Sequence, residues 1–269
     1  MVANKLVFIG LGLYDEKDLS LRAYEELTKA DTIYCEFYTS KLNGFNKNTY
    51  EKRIGKKITI LPREQIEQGD MILQAAEQGT VCLLVGGDPM TATTHIELRL
   101  RAEKKKISTQ IIHNSSIISA APGLLGLQNY KFGRTTTLAF PEKNYFPTSP
   151  YTIVAENNKI GLHTLVLLDI QAEKNRYMTA NDGLDILVEL EHKMKQHVLS
   201  EDTLVCVVAR AGAPDSLCAA DTLHSLRSKD FGPPPHTLII PGILHFMELE
   251  ALQILAGLPA HLATKVQKQ

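Results

Sequence analysis

The chain has 269 residues, 44% hydrophobic and 22% charged, with 29 basic against 30 acidic side chains. A chain of this length buries about 75% of its unfolded surface as one large or two modest domains, which argues against disorder, while the near-zero net charge argues against the broad basic footprint of a nonspecific nucleic-acid binder. No apolar run approaches the ~20 residues that span a bilayer, and the amino terminus turns acidic where a signal peptide would carry its cleavage site, so the expectation is a cytoplasmic protein with no direct nucleic-acid or membrane partner.

Residues 6–10 (LVFIG) form a short β-branched and apolar run closed by glycines, which predicts a strand buried on both faces. Asp18 and Ser20 offer caps for a helix running to Ala30 on Leu21, Tyr24 and Leu27. The alternation continues: strands at 32–35 and 58–61, a helix at 66–77, a strand at 81–85, a helix at 94–106 and a strand at 110–113. This order implies a parallel sheet with its ligand site at the carboxyl ends of the strands.

After His113 the texture changes to polar punctuation, small residues and a turn-rich stretch, so the chain is divided into domains 1–113 and 114–269. Beyond the change the pattern predicts a strand at 164–168, a helix at 180–195 announced by Thr179, strands at 204–209 and 237–240, and a helix at 245–256. The second half is again α/β, with a mixed sheet expected from its less regular connections. Cys35, Cys82, Cys206 and Cys218 lie far apart without CxxC spacing, and read as small, reduced apolar residues rather than metal ligands or a disulfide framework. No metal site is expected.

Several strand ends carry candidate chemistry. Gly10-Leu11-Gly12-Leu13 invites a dinucleotide reading, but the third glycine of the phosphate fingerprint is missing and Asp15 and Glu16 occupy its region. Gly86-Gly87-Asp88-Pro89-Met90 permits close backbone approach, with Asp88 either reading a ligand or closing an Asx turn. Thr91 to His95 opens a helix, with His95 a possible base, and Ser115-Ser116-Ile117 again offers hydroxyls and amide donors at a strand end. In the second half Asp169, Arg210 and His236 border apolar strands and need partners, an Asp169–Arg210 ion pair being the simplest. No GxSxG, HExxH, CxxC or Walker lysine is present, which leaves a small-molecule transferase or nucleotide-binding enzyme.

The wording of nine blocks in order is more specific: FIGLGLYDEKDLS, GGDPM into ATTH, IHNSSI, NYKFG, PEKNYFPTSPY, GLHTLVLLDI, YMTAN, VVARAG and FGPPPHTLIIPG. Together they resemble the diphthine synthase family, protein methyltransferases of the tetrapyrrole methylase-like group, from Leu6 to about Leu255. The resemblance implies two α/β domains, S-adenosylmethionine as cofactor, and a homodimer. It also implies a protein substrate, translation elongation factor 2, whose 3-amino-3-carboxypropyl-histidine is trimethylated. Matching blocks place the implied cofactor contacts on Leu13, Asp88, Thr91, Ser116, Ile117, Leu168, Ala211 and His236, with Thr91 contributing backbone groups. Only QAEKNR separates the LLDI and YM blocks, so the long insertion of eukaryotic relatives is missing and the chain resembles the archaeal form, expected to stop at three methyl transfers rather than continue to an ester.

Methyl transfer from a sulfonium needs alignment and an unprotonated amine more than a catalytic base, so no catalytic residue is assigned and His95 and His236 are expected to contribute little as bases. The acceptor gains bulk and charge, which makes Glu142, Asp169 and Glu97 guesses for an acidic lining. The basic stretches from Glu51 (EKRIGKK) and Arg101 (RAEKKK) are candidates for docking the protein substrate. Methylation of a tetrapyrrole, a nicotinamide-dependent oxidoreductase and a noncatalytic cofactor sensor are the competing readings.

Overall fold

A computed structural model describes residues 4–143 and 145–266, which form two compact units: residues up to 117 together with 171–175, and residues 118–170 with 176 onward.

In the first unit the elements run β1 (Lys5–Gly10), α1 (Leu21–Lys29), β2 (Thr32–Glu36), α2 (Lys47–Ile54), β3 (Thr59–Ile60), α3 (Arg63–Gln68), α4 (Asp70–Ala76), β4 (Thr80–Val85), α5 (His95–Lys104) and β5 (Ser108–Ile112). All strand pairs are parallel, in the order β3-β2-β4-β1-β5. The continuous apolar runs follow from burial on both faces. Val7, Ile9, Cys35, Cys82 and Leu84 pack with Leu27, Tyr50 and Ile54, while Leu6, Phe8, Leu83 and Val85 pack with Ile72, Leu73, Leu98 and Ala102. The register sets Gly10 and Glu36 level with Val85, so β1, β2 and β4 release their loops at one edge.

Two local features depart from the expected pattern. The single helix at 66–77 is two, because Gly69 adopts φ +67° and ends α3 before α4 begins. Helix α2 had no periodic signal, since only Tyr50 and Ile54 supply its apolar face; the Asn46 side chain accepting Thr49 N–H at 3.1 Å and the left-handed Gly55 close its two ends.

The second unit carries α6 (Ile117–Leu125, its first residue from the first unit), β6 (Thr136–Leu138), α7 (Ser149–Lys159), β7 (Thr164–Leu168), α8 (Ala180–Met194), β10 (Leu204–Ala209), β11 (Leu217–Thr222), α9 (Leu223–Arg227), β12 (His236–Ile240), α10 (Phe246–Ala256) and α11 (Ala260–Val266); β8 (Ile170–Gln171) and β9 (Arg176–Tyr177) make a two-stranded ribbon. The five-stranded sheet has the order β11-β10-β12-β7-β6 and is antiparallel except for the β6–β7 pair, a mixed sheet as the connections implied. Thr179 and Asp182 form a reciprocal capping box at the start of α8. The buried Glu248 carboxylate gathers Gln128 N–H and His245 N–H, both at 2.8 Å, Lys131 Nζ at 2.5 Å and His163 Nε2 at 3.0 Å, tying α10 to the loops before β6 and β7. That environment holds Glu248 at about 2 despite the opposing cost of burial. Among the described residues no helix is long and apolar enough to cross a membrane.

Candidate functional site

In the first unit the loops after β1 and β4 meet directly. Gly12 N–H donates to the Gly87 carbonyl at 3.2 Å and Gly87 N–H returns to the Gly12 carbonyl at 2.7 Å. Both glycines have positive φ, +76° and +71°, and the approach tolerates no side chain nearby: a Cβ on Gly10 would stand 2.5 Å from the Gly87 carbonyl oxygen and 2.7 Å from the Asn114 Cβ. The Asn114 amide ties in the loop after β5, donating to the carbonyls of Gly10 and Asp18, each at 2.9 Å.

Asp18 closes the first turn by accepting Leu13 N–H at 2.9 Å and Tyr14 N–H at 2.8 Å. The chain then enters a short 3-10 turn at Glu16–Asp18, and α1 begins only at Leu21. No helix N-terminus follows the glycines, and the amides a pyrophosphate would use are spent on a carboxylate. The dinucleotide reading fails on that geometry.

Asp88, 8% exposed, binds in several directions. One carboxylate oxygen accepts Met90 N–H at 3.0 Å; the other accepts Asn114 N–H at 3.3 Å and faces His113 Nδ1 at 2.7 Å. The Asx turn is therefore real, and the same side chain also joins the loops after β4 and β5. Thr91 directs its N–H at the Asp88 carbonyl (3.3 Å) and its hydroxyl at the Asp88 carboxylate (3.4 Å). Ser116 is buried at the start of α6, next to Ile117. Leu13, Asp88, Thr91 and Ser116 thus lie in loops at the carboxyl edge of one parallel sheet, with Ile117 following as the first residue of α6.

His95 is 1% exposed. Its Nδ1 lies 2.9 Å from the Pro89 carbonyl, which can only accept, so the ring proton sits on Nδ1; burial lowers the ring's pKa and keeps it neutral. Nε2 faces the Tyr38 hydroxyl at 3.5 Å and Glu36 at 3.8 Å. Glu36 went unnoticed in the sequence because it ends an apolar strand. Its buried carboxylate accepts Tyr38 N–H at 2.9 Å, Thr39 N–H at 3.1 Å and the Thr39 hydroxyl, and burial pushes it up to about 7.

In the second unit Leu168, Ala211 and His236 gather at one edge of the mixed sheet, at the end of β7, after β10 and at the start of β12. His236 accepts Ala180 N–H at Nδ1 (3.0 Å) and donates from Nε2 to the Pro233 carbonyl (3.1 Å). Burial pushes it down to about 4, so it is a neutral ring capping α8, with both nitrogens engaged. The expected Asp169–Arg210 ion pair does not form. Arg210 instead pairs with Asp215 at 2.7 Å and donates to the carbonyls of Phe231 and Pro233, while Asp169 accepts Phe140 N–H at 3.0 Å. The turn after β10 aims Arg210 this way by placing it at φ +50° and Gly212 at +83°. Of the other guesses, Glu97 is exposed in the first turn of α5 and Glu142 is exposed in a turn bridged to Tyr145.

The sequence matches the family model for Tetrapyrrole (Corrin/Porphyrin) Methylases over residues 5–227. Diphthine synthase of Methanothermobacter thermautotrophicus is 49% identical over 254 residues, covering 94% of this chain and 96% of that one. The diphthine synthase of Methanocaldococcus jannaschii is 47% identical over 253 residues, covering 93% and 98%. Among solved structures, a diphthine synthase superimposes with a TM-score of 0.88 at 36% identity, over 97% of this chain and 99% of that one. A putative diphthine synthase from Entamoeba histolytica gives 0.87 at 36% identity, over 94% and 98%. Identity at this level sustained along nearly the whole of both chains, together with the family match over residues 5–227, shows that the chain belongs to the tetrapyrrole methylase family, among its diphthine synthases.

Proposed function

We propose that this protein uses S-adenosylmethionine to trimethylate the amino group of the 3-amino-3-carboxypropyl-histidine of translation elongation factor 2, giving diphthine. The observation that supports this most is the near full-length identity with diphthine synthases. Leu13, Asp88, Thr91, Ser116, Ile117, Leu168, Ala211 and His236 are the proposed cofactor contacts, with residues 1–113 and 114–269 as the two domains.

The chemistry of this set suits the cofactor. Asp88 is its one charged member, and neither lysine nor arginine belongs to it, which favours a cationic sulfonium nucleoside over a phosphate-bearing one. When bound, S-adenosylmethionine supplies an activated methyl group for in-line displacement. The protein's contribution is alignment: the Gly12–Gly87 bridge and the Asp88 and Asn114 bonds hold three loops in one arrangement before any ligand arrives. His95 and His236 are neutral rings with both nitrogens directed at protein partners, so neither is offered as a base and the acceptor's proton leaves to solvent.

The remaining elements of the proposal are a cytoplasmic homodimer that stops at three methyl groups. Helix α10 supports self-association: Phe246, Met247, Ile254 and Leu255 are exposed on it, together with the preceding Ile243. Exposed Lys52, Lys104 and Lys106, in the two basic stretches, support a salt-sensitive encounter with the protein substrate, although Lys57, Arg101 and Lys105 there already pair with Glu51, Asp70 and Glu77. The family description keeps tetrapyrrole methylation as a second reading. Calorimetry with S-adenosylhomocysteine and with NAD tests the cofactor: binding of the first alone is expected, and binding of NAD alone would overturn it. Retention of activity on a porphyrinoid, without activity on the elongation factor, would favour the second reading.

A further inference from the structure

His95 is buried at the start of α5 and its two ring nitrogens serve opposite purposes. Nδ1–H holds the Pro89 carbonyl at 2.9 Å, the same oxygen that takes the Thr93 hydroxyl at 2.9 Å, and Pro89 follows Asp88 directly. On the other side Nε2 carries the lone pair and faces the Tyr38 hydroxyl, its donor, at 3.5 Å, while the Glu36 carboxylate lies 3.8 Å away, beyond hydrogen-bond reach. The Tyr38 ring stands edge-on to the imidazole at 6.3 Å and Phe8 is tilted against it at 6.4 Å, so the ring has little freedom to turn. The carbonyl of Pro89, in the middle of the turn, is thus fixed from within by a side chain that is itself almost wholly buried.

We propose that His95 is a positioning residue for the Gly86–Thr91 turn: its Nδ1–H sets the Pro89 carbonyl, with Tyr38 and Phe8 setting the ring, and thereby sets where Asp88 and Thr91 present their groups to the cofactor. The inference rests on the cofactor assignment above. It makes His95 act through the turn rather than on the methyl acceptor. Burial, which lowers the pKa of the ring, supports the neutral Nδ1–H form that the geometry requires.

The test exploits the geometry of amide side chains. In His95→Asn the amide N–H falls near the position of Nδ1, in His95→Gln near that of Nε2, and His95→Ala removes both. Each variant is titrated with S-adenosylhomocysteine by calorimetry, and the amide exchange of Met90 and Thr91 is followed without ligand. The Asn variant is expected to bind within about threefold of the parent and to keep its turn amides protected, whereas Gln and Ala weaken binding about tenfold, the worth of one buried hydrogen bond, and speed exchange in the turn. If Gln behaves as the parent while Asn matches Ala, the ring only fills space and the proposal fails; it fails equally if all three match the parent. Should the parent itself not bind S-adenosylhomocysteine, the cofactor assignment is wrong, and the exchange rates alone still decide whether His95 sets the turn.

Discussion

Substitution of Asp88 separates two roles that its position combines. In Asp88→Ala, Met90 N–H (3.0 Å) and Asn114 N–H (3.3 Å) lose their acceptor in a site where the carboxylate is 8% exposed, at about 1 kcal/mol each. The His113 contact adds little because that ring is largely exposed. The sum, about 2 kcal/mol, corresponds to a roughly 30-fold weaker affinity for S-adenosylhomocysteine if the turn must be ordered to bind. Asp88→Asn keeps the oxygen that holds Met90 and turns a donor toward Asn114 N–H, while His113 can adapt by changing tautomer, so about 1 kcal/mol and a roughly fivefold weakening are expected. Calorimetric titration of the three proteins, with melting curves to confirm folding, reads the difference. Equal losses in Asn and Ala would mean that the negative charge itself holds the ligand; no loss in either would refute the account of the turn.

Gly10→Ala drives a Cβ to 2.5 Å from the Gly87 carbonyl, and overpacking of this kind costs about 1–3 kcal/mol, so a lowered melting temperature and loss of cofactor binding together are expected. Glu248→Ala strips the acceptor from Lys131, His163 and two backbone amides and is expected to cost about 3–5 kcal/mol in a denaturant titration. Because folding lowers the pKa of Glu248 from 4.5 to about 2, its contribution is present above pH 4.5 and is lost as pH falls toward 2; the Ala variant should show a flatter acid limb there. Folding likewise lowers His236 from 6.5 to about 4, so stability falls as pH drops through that window, and His236→Phe should remove this slope while costing about 1 kcal/mol at neutral pH from the lost cap on Ala180.

The parallel sheet was legible because each strand is buried on both faces and so reads as an unbroken apolar run, as in β1 and β4. Helices α1 and α8 were legible from their caps at Ser20 and Thr179. What escaped were elements whose local signal is weak. Pro122 and Gly123 mask α6, and β11 is built from small residues that qualify as a strand only through pairing with β10. In the candidate site, the glycine turns and Asp88 stood out by type and spacing. Glu36 did not, since a glutamate at the end of a strand looks solvent-facing until the chain folds its own amides onto it. Arg210 found Asp215 rather than Asp169 because a positive-φ turn aims it back along the chain, which composition does not encode.

The central claim is tested most directly by mass spectrometry of elongation factor 2 bearing the 3-amino-3-carboxypropyl-histidine after incubation with this protein and S-adenosylmethionine. The expected result is a ladder of methyl additions on that residue, ending at three. A substrate whose mass is unchanged, in the presence of a folded protein that binds the cofactor, would contradict it.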